Sequence, residues 1–126
     1  MANPNIVNVT TIYGNSSQAA LSTTSATSLV SNASSSGKVY KINSIVVANN
    51  NGTSAANITI NTYSAASLGG TAYPIASTIS VPANATLVVT DKTTTFYLLE
   101  NQSIGATAGT ANYLTVQASW EEISSS

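Results

Sequence analysis

The sequence of 126 residues carries very little charge, with three basic residues, four acidic residues and a formal net charge of −1 at pH 7. Three lysines cannot neutralise enough phosphates to hold a duplex, which excludes nucleic-acid binding through a basic face. The chain contains neither cysteine nor histidine. That absence excludes a disulfide framework, an ordinary zinc site and a Ser-His-Asp triad.

Hydrophobic residues make up 43% of the chain and charged residues 6%. Valine, isoleucine and threonine are abundant, and these residues pack well on a pleated sheet, so the composition favours a folded β-domain over disorder. Serine, threonine and asparagine supply the polarity that charges supply elsewhere. We therefore expect a neutral, hydroxyl-rich surface with little electrostatic repulsion between copies.

Short β-branched segments separated by turn signals follow one another along the chain, and no segment has a convincing helical period. In chain order, the predicted strands are 5–13, 18–31, 38–48, 57–63, 73–81, 87–90, 96–100 and 113–123. Alternation is weak in the second of these, where propensity disfavours a short helix. About eight strands at this spacing predict an all-β fold, a single-domain antiparallel β-sandwich that is jelly-roll-like and spans residues 1–126.

Local sequence signals predict where these strands begin and end and which residues share one face of each strand. The segment 38–48 is expected to alternate strictly, with Tyr40 and Ile42 on one face and Ile45 and Val47 on the other. Three further signals are Asn51-Gly52, typical of a type I′ hairpin turn, Pro74, typical of an edge strand or a strand start, and "IGATAGTAN" (104–112), predicted to form turns. Residues 75, 79 and 81 are expected to share one face, as are Leu114, Val116, Ala118 and Trp120.

The acidic residues offer few routes to catalysis. They are Asp91, Glu100, Glu121 and Glu122. A glycosidase needs two carboxylates about 5–10 Å apart, which Asp91 could form with Glu100, or either with Glu122. The favoured interpretation places Asp91 in a turn with Lys92 and Glu100 at a strand end, with Glu121 and Glu122 on opposite faces. We predict no enzyme, no cofactor and no metal site; a calcium site on Asp91 has no EF-hand spacing behind it.

The aromatic residues allow two interpretations. They are Tyr13, Tyr40, Tyr63, Tyr73, Phe96, Tyr97, Tyr113 and Trp120. They could line a sugar-binding groove or pack in the core. Core packing is favoured for Tyr40, Phe96 and Trp120, and the sequence leaves the other tyrosines open.

The ends of the chain carry the remaining predictions. Residues 1–12 form either an exchanged or extended N-terminal arm or a plain first strand of the same sandwich. In the arm interpretation, the candidate assembly contacts are Asn3, Asn5, Ile6, Val7 and Val9, which add a strand to a neighbouring subunit. Residues 124–126 are expected to be a flexible tail. Neither a signal-peptide pattern nor an apolar run of membrane-spanning length is evident, so no membrane association is expected.

Several quoted stretches resemble one family of proteins. The stretches "GKVYKINSI" (37–45), "SVPANATLVV" (80–89) and "WEEIS" (120–124) are its most specific parts. With these, the order of segments from residue 5 to residue 124 resembles small virion structural proteins of tailed phages, with the greatest similarity to those of phages that infect cyanobacteria. The family has no catalytic motif, so the resemblance implies no active-site residue.

The resemblance implies a capsid decoration (cement) protein that binds the head surface and stabilises the shell by bridging capsid subunits. Its expected partners are the major capsid protein and further copies of itself in a homotrimer. Its expected location is the surface of the phage particle, after synthesis in a bacterial cytoplasm. The first alternative is a receptor- or glycan-binding module of a tail or fibre, whose partner is a host glycan. The second is a glycan hydrolase.

Overall fold

The computed structural model describes residues 10–91 and 93–124. These residues form nine β-strands and no helix. The strands are β1 (Thr11–Ala20), β2 (Thr27–Asn32), β3 (Lys38–Asn49), β4 (Ala56–Ala65), β5 (Gly69–Val81), β6 (Thr86–Thr90), β7 (Phe96–Leu98), β8 (Gln102–Ala108) and β9 (Leu114–Ser124). Ser124, which was expected to belong to the tail, is still part of β9.

The strands form two antiparallel sheets, which confirms the predicted β-sandwich. The front sheet has the order β1-β9-β3-β6, with β7 also paired to β3, and the back sheet has the order β2-β8-β4-β5. Four long pairings, β1 with β9, β2 with β8, β3 with β6 and β4 with β5, make one antiparallel ribbon. Rolling that ribbon until β9 meets β3 and β8 meets β4 gives the jelly roll.

The core lies between the two sheets and is aliphatic. Its largest fully buried side chains include Ile42, Ile45, Ile58, Ile60 and Ile104. The predicted alternation of β4 is confirmed for Ile58 and Ile60, which face inward while Asn57 is exposed. The even-numbered residues of β9 from Leu114 to Trp120 are all buried, also as predicted.

Strict alternation of β3 was a wrong prediction. The register against β9 shifts between Ile42 and Ser44, so Asn43 is an extra residue in a β-bulge. The bulge changes the inward-facing positions from even to odd residue numbers. Tyr40 and Ile42 before it and Ile45 and Val47 after it all belong to the core cluster.

Strand β8 was missed by the sequence analysis, which predicted turns over most of its length. It is the second strand of the back sheet, paired on one side with β2 and on the other with β4, and its residues 103–106 are all buried. A strand buried on both faces has no alternation to detect. Gly105 also lowers strand propensity; a Cβ there would lie 2.7 Å from the end of the Leu68 side chain, which would have to move.

The predicted hairpin at Asn51-Gly52 is also wrong, because β3 and β4 belong to different sheets. The connection between them crosses from front to back and is organised by Asn51, whose side-chain oxygen accepts hydrogen bonds from the backbone N–H groups of Thr53 and Ser54 at 2.8 and 2.7 Å. The side chain therefore forms the turn that a pair of positive-φ residues would form in a hairpin.

The prediction from Pro74 is confirmed, since β5 is an edge strand of the back sheet. Its register against β4 shifts three times. These shifts break the predicted common face of residues 75, 79 and 81, because Val81 is buried while Ile75 and Ile79 are each 41% exposed.

Two buried asparagines join the sheets at opposite ends of β3. Asn32 of the back sheet donates hydrogen bonds to the carbonyls of Lys38 at 3.0 Å and Leu98 at 3.2 Å, both in the front sheet. Asn49 of the front sheet donates to the carbonyl of Val81 in the back sheet at 2.9 Å. We call these two residues the asparagine clamps. Buried amides are retained only where their hydrogen bonds are satisfied.

Ile58→Ala is expected to lower the free energy of unfolding by about 2–5 kcal/mol, because the side chain is fully buried and its loss leaves a cavity. Urea denaturation measures the change. The matched control is Ile79→Ala, because Ile79 pairs with Ile58 across the strands but is 41% exposed. A cost for Ile79→Ala as large as that for Ile58→Ala would contradict the described core.

Asn49→Ala is expected to cost about 1–3 kcal/mol, because the carbonyl of Val81 would be left buried without its hydrogen bond. At pH 7, Asn49→Asp is expected to cost at least as much, since it turns the amide donor into a second acceptor facing that carbonyl. Asn57→Ala, at an exposed position of β4, is the control and should stay within about 0.5 kcal/mol. A tolerated Asn49→Asp change would show that Asn49 does not hold the sheets.

Candidate functional site

Asp91 is held by hydrogen bonds within its own turn. Asp91 lies in the turn after β6 and is fully exposed; its Oδ1 accepts hydrogen bonds from the backbone N–H of Thr93 at 2.9 Å and from the Thr93 hydroxyl at 2.6 Å. These bonds lower the pKa of Asp91. The predicted turn is therefore confirmed, while Lys92 lies outside the described residues.

Glu100 and Glu122 also have different surroundings. Glu100 lies in the turn between β7 and β8, at the predicted strand end, with one carboxylate oxygen buried and without a hydrogen-bond partner. Glu122 pairs with Lys38. Within residues 10–91 and 93–124, no group of three or more acidic residues could hold a metal ion.

An ion pair and an aromatic stack lie together where β1, β9 and β3 meet. The Lys38 ammonium lies 3.2 Å from the Glu122 carboxylate, and Asn15 donates a hydrogen bond to the other carboxylate oxygen. Beside them, the rings of Tyr40 and Trp120 stack with centroids 6.0 Å apart. Both rings are 9% exposed and belong to the core cluster, against which Phe96 also packs. The predicted core role of these three aromatics is confirmed.

The surroundings of this cluster shift two pKa values. The hydrogen bond and charge of Glu122 raise the pKa of Lys38 above its ordinary value of 10.5. Burial, followed by the charge of Glu122, raises the pKa of Tyr40 above its ordinary value of 10.0. At neutral pH the cluster therefore contains one ion pair, Lys38 with Glu122, beside the neutral Tyr40. We interpret this arrangement as stabilising the fold.

A second group of aromatics lines a groove between the two sheets. The cavity has a volume of about 190 Å³ and lies between β7 of the front sheet and β4, β5 and β8 of the back sheet. Its lining includes Thr62, Tyr63, Tyr73, Phe96, Tyr97 and Gln102. We call it the aromatic groove. Three of its tyrosines were left undecided by the sequence, because Tyr63 and Tyr73 meet through the pairing of β4 with β5 and Tyr97 joins them from β7 of the other sheet.

The outer edge of β1 is the third feature of functional interest. Strand β1 pairs with β9 over all ten of its residues without a register shift, and it lies at the edge of the front sheet. Ile12 and Tyr13 on this strand are 57% and 61% exposed. The predicted assembly contacts lie next to it in sequence: Asn3, Asn5, Ile6, Val7 and Val9 are outside the described residues.

No helix in residues 10–91 and 93–124 is long and apolar enough to cross a membrane.

The stability of the protein is expected to fall as the pH rises above about 10. Because the pKa of Lys38 is raised on folding, the ion pair stabilises the fold fully below pH 10.5 and loses this effect as the pH rises through the folded-state pKa. The raised pKa of Tyr40 acts in the same direction above its ordinary value of 10.0. The Lys38 side chain is 41% exposed, so screening limits the ion-pair contribution to about 1 kcal/mol or less.

Denaturation of Glu122→Gln at pH 7 and above pH 10.5 tests the contribution of the ion pair. The variant should be slightly less stable than the wild type at pH 7, and it should lose less stability as the pH rises. The control is Lys41→Ala on the same strand, which should stay within about 0.5 kcal/mol of the wild type at pH 7. An unchanged pH dependence in Glu122→Gln would contradict the role of the pair.

Comparison with known proteins gives a distant structural likeness. No family model matches the sequence, and no curated protein matches it. Among solved structures, it is similar to a chain described as "Bacillus endospore appendages form a novel family of disulfide-linked pili", with 20% identity, a TM-score of 0.49, and coverage of 99% of this chain and 94% of that chain. The 126-residue sequence has no cysteine, so it cannot form a disulfide of its own. A likeness this distant transfers no function.

Proposed function

We propose that this chain is a non-enzymatic structural protein of a phage virion that binds the head surface as a decoration protein and bridges capsid subunits. The resemblance carried by "GKVYKINSI", "SVPANATLVV" and "WEEIS" supports the assignment to a phage particle. The structural observation that carries an assembly role is the edge of β1. Bridging requires a rigid domain with an edge or face that another chain can occupy, and β1 supplies an edge of this kind.

The other sheet edges are poorer templates for strand addition. Strand β5 contains Pro74, has three register shifts against β4, and holds Thr78 at a φ of 52°. Strand β2 has a register shift after Ser28, and β6 has five residues. Bulges, prolines and short lengths are the features by which proteins protect sheet edges from pairing. Strand β1 has none of these protections along its ten residues.

The register shows which β1 backbone groups are free for a partner. The N–H of Leu21 donates to the carbonyl of Leu114, in line with the register of β1 and β9. In an antiparallel pair, hydrogen-bonded residues alternate with residues whose backbone groups point away. The odd-numbered residues of β1 therefore bond to β9, and Gly14, Ser16 and Gln18 direct their N–H and C=O groups outward.

The proposed occupant of this edge is residues 1–9 of a neighbouring copy. This segment carries the apolar residues Ile6, Val7 and Val9 and the β-branched pattern of a strand. Nine extended residues reach about 30 Å, slightly less than the roughly 33 Å of a ten-residue strand, so the arm can leave one subunit and pair along part of β1 of the next. A homotrimer closes such an exchange with every edge occupied.

A glycan-binding module of a tail or fibre is the second candidate function. The aromatic groove is the observation that favours it, since tyrosine rings and hydroxyl groups converge there without a charged residue in the lining.

Ser16→Pro is expected to abolish self-association while leaving the isolated subunit folded. Ser16 is exposed, and proline there removes an N–H that points away from β9, so the native ladder keeps all its bonds. Sedimentation velocity measures the association. Ser17→Pro is the matched control, because it removes an N–H that bonds to β9 and should destabilise the subunit itself. Self-association of a folded Ser16→Pro variant at wild-type strength would contradict pairing at this edge.

Copy number in the purified particle tests the proposed function. Quantitative mass spectrometry against the major capsid protein is expected to give about one copy per capsid subunit if a trimer occupies each threefold site, or one per three if a single copy does. A few copies to a few dozen per particle would move the protein to the tail and favour the second candidate. Absence from the particle would contradict both.

A further inference from the structure

The aromatic groove has the chemistry of a small, neutral binding site. Tyr73 and Tyr97 are 58% and 45% exposed, so their rings are open to solvent beside the cavity they help to line. Phe96 is half-buried and packs against the core, which gives the groove an aromatic wall fixed to the fold. The lining residues of the cavity include no charged side chain. A charged ligand would therefore lose its hydration in the groove and gain no opposite charge there.

The polar groups at the groove are only partly used by the protein. The side-chain oxygen of Gln102 accepts a hydrogen bond from the backbone N–H of Leu99 at 2.9 Å, which holds the amide in place and leaves its NH₂ group as a donor. The Thr62 hydroxyl contacts the carbonyl of Tyr73 at 3.4 Å. Within the described ranges, the hydroxyls of Tyr63, Tyr73 and Tyr97 form no hydrogen bond to the protein.

From these observations we infer that the aromatic groove binds a single neutral hexose ring. One face of such a ring is a patch of C–H bonds, which packs on the negative face of an aromatic ring. Its rim consists of hydroxyl groups, which match the free tyrosine hydroxyls and the amide of Gln102. The volume of about 190 Å³ is below the roughly 300–1,000 Å³ of sites for drug-sized ligands, so one ring is bound and the rest of a glycan lies outside.

This inference is independent of the proposed assembly role, because the groove and the edge of β1 involve different strands. In the front sheet, β7 and β1 are separated by β3 and β9. A variant that loses sugar binding should therefore assemble normally, and Ser16→Pro should bind sugar normally. Failure of either function leaves the other one testable.

Saturation-transfer NMR with methyl glycosides of glucose, galactose, mannose and N-acetylglucosamine tests the site directly. At least one glycoside is expected to receive saturation through its C–H face. The Tyr73→Ala, Tyr97→Ala double variant should weaken that binding by at least roughly tenfold, a loss of about 1.4 kcal/mol. The matched control is Tyr13→Ala, an equally exposed tyrosine on β1. It should bind like the wild type.

A further variant separates stacking from misfolding. Tyr73→Phe keeps the ring and removes the hydroxyl, so it should bind more strongly than Tyr73→Ala. Unfolding midpoints establish that each variant is folded. No transfer to any of the four glycosides, or equal transfer in wild type and folded double variant, would overturn the inference.

Disaccharides containing the preferred ring at the non-reducing or the reducing end identify the source of the ligand. Binding that is retained for one of the disaccharides supports the groove as a reader of a glycan chain. Binding of the methyl glycoside alone supports it as a site for a free sugar.

Discussion

The relative position of the two sheets depends on the asparagine clamps, Asn32 and Asn49. Apolar burial drives the sheets together, but it is non-directional and allows them to slide. The clamps add direction, because each side chain leaves its own sheet and donates to a backbone carbonyl of the other. They lie at opposite ends of β3, so they connect the two sheets at both ends of the sandwich. The chain has no cysteine, so hydrogen bonds from neutral amides, rather than disulfides, link the two sheets.

The fixed sandwich determines which surfaces remain for function. Because β3 and β9 occupy the centre of the front sheet, β1 is left at its edge with a regular, unprotected row of backbone groups. Tyrosines from both sheets line one cavity beside β7. Of the acidic residues, Asp91 is engaged by Thr93 and Glu122 by Lys38. The described residues therefore offer two candidate binding surfaces, the edge of β1 and the aromatic groove.

The inward face of a strand could be predicted from the sequence where one face is buried and the other is exposed to solvent. That condition holds for β4 and for the first half of β9, whose alternation gave their inward faces correctly. It fails for β8, which is buried on both faces, and at Asn43, where a bulge depends on the partner strand. The clamps were missed because asparagine is usually exposed. The aromatic groove was missed as a unit because its tyrosines are distant in sequence and lie on strands of two different sheets.

The most direct test of the central claim, that β1 is the assembly edge, is an electron cryomicroscopy map of the particle that carries this chain. We expect an additional strand paired along the outer edge of β1, contributed by residues 1–9 of a neighbouring copy. A map in which β1 faces solvent, with contacts made instead through β5 or the loops, would contradict it.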